Sequence, residues 1–459
     1  MDNTDNSLKQ SLYAKRETIH PRHVTGIFAA LRVTAVVILM GIYYGLPWIQ
    51  WDGRQAVLFD LPARKFYLFG ITLWPQDFIY LAALLIVAAL SLFFFTAIAG
   101  RLWCGFACPQ TVWTEVFMWI ERKVEGDRNQ RIKLDKSPTN KHKVFLKIVK
   151  HGIWVILSVW TGYTFVGYFT PIIELGHKIV VLQTGPWETF WVLFYGFATY
   201  GNAGWMREQV CLYMCPYARF QSAMFDKNTL VISYDPARGE PRGHRKRSED
   251  TKAVGLGSCI DCKLCVQVCP TGIDIRDGLQ YQCIGCAACI DACDDVMEKM
   301  SYPKGLIRYT TENALASGAT KLFRPKVILY ALILVAISGA LIYGLVTRDA
   351  VGLDVIRDRN VLYRVTNEGL AENIYTLKLL NKDNYDHIFH VAVTGLPGIK
   401  LREEKEVFVT SGYVEEAIIA ILVDPVDMKF PSADIEIQIT AKNNPELKAM
   451  AKARYLKPR

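Results

Sequence analysis

Long apolar runs alternate with charged segments along most of the chain, and this alternation predicts membrane-spanning helices. Five runs approach the roughly 20 residues that an α-helix needs to cross a bilayer. The core of a soluble protein seldom needs five such runs, so we interpret all of them as spans. The predicted spans cover about Phe28–Ile49, Phe78–Gly100, Ile148–Ile172, Trp187–Met206 and Val327–Val346.

The five runs differ in their regularity. The second and fifth are uninterrupted, whereas Pro47 breaks the first and Asn202 breaks the fourth. A long polar segment precedes the first run and no small-x-small cleavage motif follows it, so we interpret this run as an anchor rather than a cleaved signal.

The periodicity changes after the fifth run. Short stretches rich in β-formers, such as "NIYTLKLLN" and "DIEIQITA", alternate with turn segments such as "NKDN" and "GLPG". This pattern predicts an antiparallel sandwich of immunoglobulin type, without the paired cysteines and central tryptophan of immunoglobulin domains. His387 and His390 fall on opposite faces of one predicted strand, so we expect no joint metal site and interpret the domain as a docking module.

Composition agrees with membrane helices joined to soluble parts, because hydrophobic residues reach 51% while charged residues still reach 21%. The net charge of +9 is concentrated in particular loops, and residues 101–150 alone carry eleven Lys and Arg. The positive-inside rule then predicts a cytoplasmic N-terminus, cytoplasmic residues 207–325 and a periplasmic C-terminus. We find no nucleic-acid-binding motif and expect no nucleic-acid partner.

These patterns divide the chain into five regions of a multidomain protein. A polytopic α-helical membrane domain of about five transmembrane helices carries an inserted cysteine-rich domain and a C-terminal immunoglobulin-like β-sandwich. Asp235–Asp250, rich in Pro, Gly and charge, is interpreted as a solvated linker, although its basic cluster also suits anionic lipid. The predicted boundaries are an N-terminal tail at 1–27, a four-helix membrane domain at 28–234, the linker and cysteine-rich domain at 235–325, a fifth helix at 326–347, and the sandwich at 348–459.

All twelve cysteines lie in segments predicted to be cytoplasmic, where disulfides are rare, so we interpret them as metal ligands or redox thiols. Eight of them form the spacing C-x2-C-x2-C-x3-C twice, which is the bacterial two-cluster ferredoxin pattern. In this pattern the fourth cysteine of each run binds the cluster of the other run. One [4Fe–4S] cluster is therefore predicted at Cys259, Cys262, Cys265 and Cys293, and the other at Cys283, Cys286, Cys289 and Cys269.

Two details qualify this interpretation. Pro270 follows Cys269 as the pattern expects, but Asp294 stands where proline would follow Cys293. Zinc also binds thiolates, but zinc sites usually pair two CxxC units across a longer gap, so iron–sulfur clusters are favoured.

The other four cysteines form two Cys-x-x-x-Cys-Pro motifs at the cytoplasmic ends of the second and fourth spans: Cys104 and Cys108, then Cys211 and Cys215. On a helix, residues i and i+4 share a face, and the prolines at 109 and 216 are expected to end or kink each helix. Four converging soft thiolates would favour Cu(I). The pairs also suit a transient disulfide, separate partners or simple burial.

No haem is expected. Of the eight histidines only His151 lies in a predicted span, near its cytoplasmic edge and without a histidine opposite.

"WCGFACPQTVW", "CLYMCPYARFQ", the two ferredoxin runs, the fifth span and the trailing β-domain together resemble the CcoG/FixG/RdxA family, the accessory proteins of cbb3-type cytochrome c oxidase assembly. The resemblance covers nearly the full chain. It implies a bacterial inner-membrane cupric reductase, in which electrons from the two clusters reduce Cu(II) to Cu(I). The repeated thiol pairs, which face the same side as the clusters, lead us to expect the copper near Cys104, Cys108, Cys211 and Cys215. Copper chaperones or assembly factors would take the Cu(I), and a cytosolic donor would reduce the clusters.

Two other functions stay open at this stage. A quinol-linked electron-transfer module would use its spans to bind quinol and feed a periplasmic reductase. An oxidase-assembly scaffold would dock partners through residues 350–459 and keep its clusters for structure or regulation. Self-association of the chain also stays open.

Overall fold

The computed structural model describes residues 18–247, 255–321, 323–358, 361–383, 385–428 and 430–458. Most of the predicted N-terminal tail and residues 248–250 of the predicted linker therefore lie outside the described residues. The chain divides into two compact units, residues 1–67 with 77–339, and residues 68–76 with 340–459.

Helices dominate the first unit. In chain order the α-helices are α1 (Ile27–Gly45), α2 (Phe78–Ala99), α3 (Leu102–Phe106), α4 (Pro109–Glu125), α5 (Arg128–Lys136), α6 (Lys141–Val166), α7 (Ile172–Val180), α8 (Pro186–Thr199), α9 (Pro216–Met224), α10 (Pro236–Gly239), α11 (Leu264–Gln267), α12 (Ala288–Lys299), α13 (Glu312–Ser317) and α14 (Pro325–Val346). Two π-helical segments, π1 (Tyr200–Met206) and π2 (Val210–Met214), lie between α8 and α9.

The strands are fewer in the first unit than in the second. They are β1 (Gln50–Trp51), β2 (Arg54–Gln55), β3 (Val57–Asp60), β4 (Lys65–Leu68), β5 (Ile71–Leu73), β6 (Val231–Tyr234), β7 (Ile307–Thr310), β8 (Val351–Arg357), β9 (Arg364–Val365), β10 (Ala371–Asn381), β11 (His387–Thr394), β12 (Lys400–Leu401), β13 (Glu406–Val409), β14 (Val414–Val423), β15 (Ser432–Ala441) and β16 (Asn444–Leu456).

Four helices in the described part of the chain are long and apolar enough to cross a membrane, namely α1 with the turn that follows it, α2, α6 and α14. The third predicted span is shifted, because α6 begins at Lys141 and ends at Val166, and Ile172 already starts α7. The fourth predicted span is divided, since its α-helical part α8 has only 14 residues and continues as π1 to Met206.

Glycines let α6 and α8 approach closely. A Cβ atom on Gly162 of α6 would lie 2.2 Å from the carbonyl oxygen of Val192, and one on Gly196 of α8 would lie 3.3 Å from that of Ser158. Small residues at helix contacts are typical of membrane bundles, where van der Waals contact replaces the hydrophobic effect.

A buried ionic network ties the helices together near the start of α6. The Glu121 carboxylate of α4 lies 3.0 Å from Arg131 of α5, 3.3 Å from Lys150 of α6 and 3.0 Å from Arg207, which follows π1. All four side chains are at most 9% exposed. Burial alone would raise the pKa of Glu121, but these three cations lower it to about 2.

The cysteine-rich part of the first unit is built on a two-stranded sheet. β6 and β7 pair antiparallel, with Val231 opposite Thr310. Apolar side chains from the sheet, α12 and the cysteine loops form its core, among them Ile232, Ile290, Met297 and Leu306. Helix α1 begins against this core, because the Asp291 carboxylate of α12 accepts hydrogen bonds from the first backbone amides of α1, at 3.2 Å and 2.7 Å.

Most described residues of the predicted linker are exposed, as expected for a solvated segment, but part of it contacts the cysteine-rich core. Its start forms α10, and its basic cluster continues that contact. The Arg245 guanidinium lies 5.2 Å above the Tyr302 ring and donates to its hydroxyl, and Arg247 donates to Ser301 at 2.7 Å. Two arginines of the basic cluster therefore contact the segment that follows α12.

The second unit contains a sandwich of two antiparallel sheets. One has the order β12-β14-β10-β8 with β9 against β10, and the other has the order β13-β11-β15-β16. Alternate residues such as Leu377, Phe389, Ile421 and Ile437 are fully buried between the sheets. The Tyr455 hydroxyl donates within this core to the carbonyl oxygen of Ala371 at 2.5 Å. His387 is buried and His390 is exposed, as expected for opposite faces of one strand.

We expect Glu121→Gln to lower the free energy of unfolding of the purified membrane protein by about 3 kcal/mol, because it removes the carboxylate that Arg131, Lys150 and Arg207 share, while Lys150 keeps its ion pair with Glu125 at 2.8 Å. Thermal or denaturant unfolding in detergent measures the change. Glu115→Gln is the matched control on the same helix. Its carboxylate pairs with Arg122 at 3.4 Å in a more exposed setting, so a loss below about 1 kcal/mol is expected. Equal losses in both variants would contradict the role of the network.

Candidate functional site

The two loops that carry the ferredoxin-type cysteines have the same backbone. In the first, Asp261 and Lys263 adopt positive φ angles of 51° and 55°, and at the equivalent positions of the second Gly285 and Ala287 have 71° and 59°. Alternation of left-handed and right-handed residues turns successive N–H groups toward one point, an arrangement found around phosphates and iron–sulfur clusters. Three of these four residues are not glycine, so each loop holds strain that a bound anionic group would offset.

The structure brings the eight cysteines together in two groups of four. One cavity is lined by Cys259, Cys262, Cys265 and Cys293, and a second by Cys269, Cys283, Cys286 and Cys289, with Cys265 at its edge. Each group therefore takes three cysteines from one run and the fourth from the other. The remaining walls are mostly apolar, with Leu306 in the first cavity and Ile232 in the second.

These residues fit two cubane clusters better than two zinc ions. Each cavity takes three thiols from one run and one thiol from the other, which is the arrangement of the two-cluster ferredoxin pattern.

Arg276 stabilises the first cysteine loop. Its guanidinium is almost fully buried and contacts the carboxylates of Asp261 and Asp274 at 2.5 Å and 2.6 Å. The hydrogen bond from Arg276 lowers the pKa of Asp261, so that side chain stays ionised. The ion pair thus holds Asp261 in its left-handed conformation.

The second cysteine loop is held by residues of the membrane helices and by β7. Arg101 lies between α2 and α3 and is buried, and its guanidinium donates to the carbonyl oxygens of Tyr281 and Cys283 and to that of Ala218 in α9. Arg32 of α1 donates to the Cys286 carbonyl, and the Tyr309 hydroxyl donates to that of Gly285 at 2.6 Å.

The first CxxxCP motif touches this loop directly. A Cβ atom on Gly105 would lie 2.4 Å from the carbonyl oxygen of Gly285 and 3.0 Å from the Cα of Cys286. A Cβ on Gly285 would in turn lie 2.9 Å from the carbonyl oxygen of Arg101. Only glycine at both positions allows the two backbones to meet.

The structure corrects the predicted geometry of the CxxxCP pairs. Cys104 lies in α3, but Cys108 is the extended residue before α4; Cys211 lies in π2, but Cys215 is the extended residue before α9. The prolines that follow Cys108 and Cys215 therefore begin α4 and α9 instead of ending the preceding helices. Proline suits a first helical position because its missing N–H has no partner there in any case.

The two motifs are nevertheless repeats of one backbone unit. Four residues before the first cysteine of each pair, Gly100 and Arg207 have φ and ψ angles of 52° and −115°, and of 45° and −112°. In both motifs the amide of the second cysteine bonds to the carbonyl oxygen five residues earlier, at 2.9 Å for Cys108 and 2.8 Å for Cys215.

The four thiols lie within electrostatic range of one another. Burial raises the pKa of Cys104 and of Cys211 to about 12, the neighbouring thiols add to both shifts, and Arg101 opposes them. The Cys104 thiol donates to the buried Gln221 side chain at 3.5 Å. Without a bound metal the thiols of Cys104 and Cys211 are neutral at pH 7, so a soft cation must displace their protons.

Sequence patterns alone missed the residues that join the two cysteine regions. In the sequence, Arg101 contributes to the positive-inside pattern and Gly105 is a spacer within the CxxxCP motif. No sequence pattern indicates a role for Tyr309 or Gln221. The position of Arg101 directly after an apolar run is the one sequence feature that could have indicated a structural role for it. The contacts of Arg101, Gly105 and Gln221 join segments more than 100 residues apart, and Tyr309 contacts a residue 24 positions away.

Three protein families match parts of the chain. A 4Fe-4S dicluster domain matches residues 206–312, a 4Fe-4S binding domain matches residues 81–125, and the family described as an IG-like fold at the C-terminal of FixG matches residues 341–458. These matches confirm the predicted multidomain architecture of ferredoxin parts, apolar helices and an immunoglobulin-like domain.

Curated relatives match over most of their length. Protein RdxA of Cereibacter sphaeroides is 43% identical over 409 residues, which are 86% of this chain and 86% of that protein. The nitrogen fixation protein FixG of Rhizobium meliloti is 40% identical over 428 residues, with 85% and 82% covered. The ferredoxin-type protein NapH of Haemophilus influenzae is 24% identical over 237 residues, 48% of this chain and 69% of that protein.

A solved structure of a FixG-related protein from Vibrio parahaemolyticus is 31% identical. It covers 24% of this chain and 99% of that chain, with a TM-score of 0.23.

We expect Cys269→Ala to remove the cluster of the Cys283–Cys289 loop, and Cys293→Ala to remove that of the Cys259–Cys265 loop, because each side chain lies in the cavity of the other run. Iron content near half of the wild-type value, and loss of different electron paramagnetic resonance (EPR) signals in the two variants, would support this assignment. Loss of the same signal in both variants would contradict it.

We also expect Gly105→Ala to disturb the second cluster selectively. Its Cβ meets backbone atoms, which cannot rotate away, so the two loops must separate at a cost of about 1–3 kcal/mol. EPR spectra should change for the cluster near Cys286 and not for the other. Gly152→Ala is the control, because a Cβ there meets nothing within 4 Å. An unchanged spectrum for Gly105→Ala would count against a close contact.

Proposed function

The chain belongs to the FixG/RdxA family, and from this premise we propose that this membrane iron–sulfur electron-transfer protein is a cupric reductase that supplies Cu(I) for the assembly of cbb3-type cytochrome c oxidase. The proposal includes its substrate, Cu(II), and a reduction site at Cys104, Cys108, Cys211 and Cys215.

The contact between Gly105 and Gly285 is the observation that supports it most directly. It lies one residue from Cys104 on one side and one residue from Cys286 on the other. Bound clusters supply transfer of single electrons, and this backbone contact gives an electron a short path from the second cluster loop to the first thiol pair. Arg101 fixes the path, since it bonds to the second loop and to α9, which begins after Cys215.

The chemistry of the thiols suits the reduced product. Thiolate sulfur is a soft ligand and favours Cu(I) over harder cations, so binding at these cysteines makes reduction of Cu(II) more favourable. Because the raised pKa values of Cys104 and Cys211 keep both thiols protonated without metal, copper binding there must release protons. The Cys108 thiol has a further influence on its pKa. Burial raises its pKa, but the backbone amides of Gln110 and Thr111 in the first turn of α4 act against burial.

We place the protein in the bacterial inner membrane, with its N-terminus and cluster loops in the cytoplasm and its immunoglobulin-like domain in the periplasm. This topology follows from the Lys and Arg of residues 101–150 and the positive-inside rule. The proposed partners are membrane lipid, an electron donor on the cytoplasmic side, and copper chaperones or oxidase assembly factors that accept Cu(I).

The experiment is anaerobic reoxidation of the reduced protein by Cu(II), with a Cu(I)-selective chelator present. In the wild type, cluster reoxidation should match the appearance of Cu(I). The variant with Ala at Cys104, Cys108, Cys211 and Cys215 should keep both EPR signals and lose Cu(I) formation by on the order of 100-fold, because its metal ligands are gone.

The double variant Cys211→Ala with Cys215→Ala separates the contributions of the two pairs, and equal iron content is the control for folding. Wild-type rates in the fourfold variant would exclude the thiols as the reduction site. Cluster reduction by quinol together with wild-type copper rates in that variant would favour the quinol-linked function instead.

A further inference from the structure

A large open cavity lies between the second cluster loop and the membrane helices. Its interior volume is about 260 Å³, and it opens to solvent. Its walls come from four regions: the segment before α1 and the first turns of α1, the inner face of α4, residues 207–211, and the cysteine-rich core around Pro270 and Ala288.

Both redox regions contribute to the wall. Cys211 of the second CxxxCP pair lines the cavity, and so does Cys286 of the second cluster loop. A molecule bound here would therefore lie beside a cluster ligand and beside a candidate copper ligand.

The cavity carries a positive charge. Four arginines line it against two glutamates, which leaves a net charge of +2 with histidine neutral: Arg22, Arg32, Arg122 and Arg207 against Glu115 and Glu208. Within the described part of the chain, no carboxylate lies in ion-pair range of Arg22 or Arg32, and Arg32 bonds only to the Cys286 carbonyl. Such a site attracts an anion and repels a bare divalent cation.

The anion must also have an apolar, planar part. Trp119 is 53% exposed and lines the cavity beside the buried Met118, and Val33 extends this apolar wall on α1. An aromatic ring can stack on the Trp119 indole. An inorganic anion would leave this wall uncovered.

We propose that this cavity binds a flavin mononucleotide, whose reduced form is the electron donor to the clusters. The phosphate would bind Arg22 and Arg32, and the isoalloxazine ring would lie against Trp119 near Cys286. A flavin meets every requirement of the site: it is anionic and planar, and it releases two electrons one at a time. The inference deepens the proposed function, on which it depends only for the final acceptor, copper.

The redox step balances without a further reactant. One dihydroflavin is oxidised to flavin and releases two electrons and two protons. Each of the two [4Fe–4S] clusters, once bound by its four cysteines, would accept one electron, and the two protons would pass to solvent. Two Cu(II) ions would then reoxidise the two clusters.

The first experiment measures binding to the anaerobically purified full chain in detergent, by quenching of flavin fluorescence. Flavin mononucleotide should bind at a single saturable site. Riboflavin, which lacks the phosphate, should bind at least tenfold more weakly. This comparison uses the wild-type protein and does not depend on the folding of a variant.

Variants then locate the site. Arg22→Gln should weaken flavin mononucleotide binding about tenfold and leave riboflavin binding unchanged, whereas Trp119→Leu should weaken both. Lys133→Gln is the matched control, an exposed cation of α5 that does not line the cavity. Iron content and cluster absorbance check that each variant is intact.

The second experiment adds dihydroflavin mononucleotide without copper and follows the cluster EPR signals. Saturable reduction of both clusters, slowed about tenfold in Arg22→Gln at low flavin concentration, would support the proposal even if copper reduction failed. Equal affinity for riboflavin and flavin mononucleotide, or reduction by a bilayer-soluble hydroquinone and not by the flavin, would overturn it and leave the copper reaction to its own test.

Discussion

The close contact between Gly105 and Gly285 is the constraint on which the proposed electron path depends. Two loops from distant parts of the chain meet there through backbone atoms, since neither position has room for a Cβ. Arg101 secures the contact with buried hydrogen bonds to carbonyl oxygens of the second cluster loop and of α9. One arginine therefore positions a thiol motif, a cluster loop and the helix after the other thiol motif at once.

Both the pair of cluster loops and the pair of CxxxCP motifs are structural repeats. The two cluster loops have left-handed residues at the same two positions, and the two CxxxCP motifs have the same backbone turn before the first cysteine. In the second copy Arg207 takes the conformation that Gly100 has in the first. Its guanidinium belongs to the buried network around Glu121, which offsets a backbone conformation unfavourable for a side chain. The stability of the helices and the geometry of the thiol pair are thus coupled.

The position of the cavity follows from the same contacts. Arg32 reaches the second cluster loop from α1, and Asp291 of α12 caps the start of α1, so the membrane anchor and the cysteine-rich core enclose a charged space between them. This space is next to both redox regions because the two loops are in close backbone contact. A donor site there would connect directly to the path through Gly105.

Local patterns in the sequence determined the apolar runs, the β-rich end of the chain and the spacing of all twelve cysteines, because each depends on near neighbours along the chain. Helical geometry at the CxxxCP pairs was predicted incorrectly: i, i+4 spacing assumes a continuous helix, and an extended residue separates two helices there. Only the tertiary structure decided that Arg101, Gly105 and Gly285 meet and that Arg22 and Trp119 share one cavity. Such contacts join residues far apart in the chain, and no local periodicity encodes them.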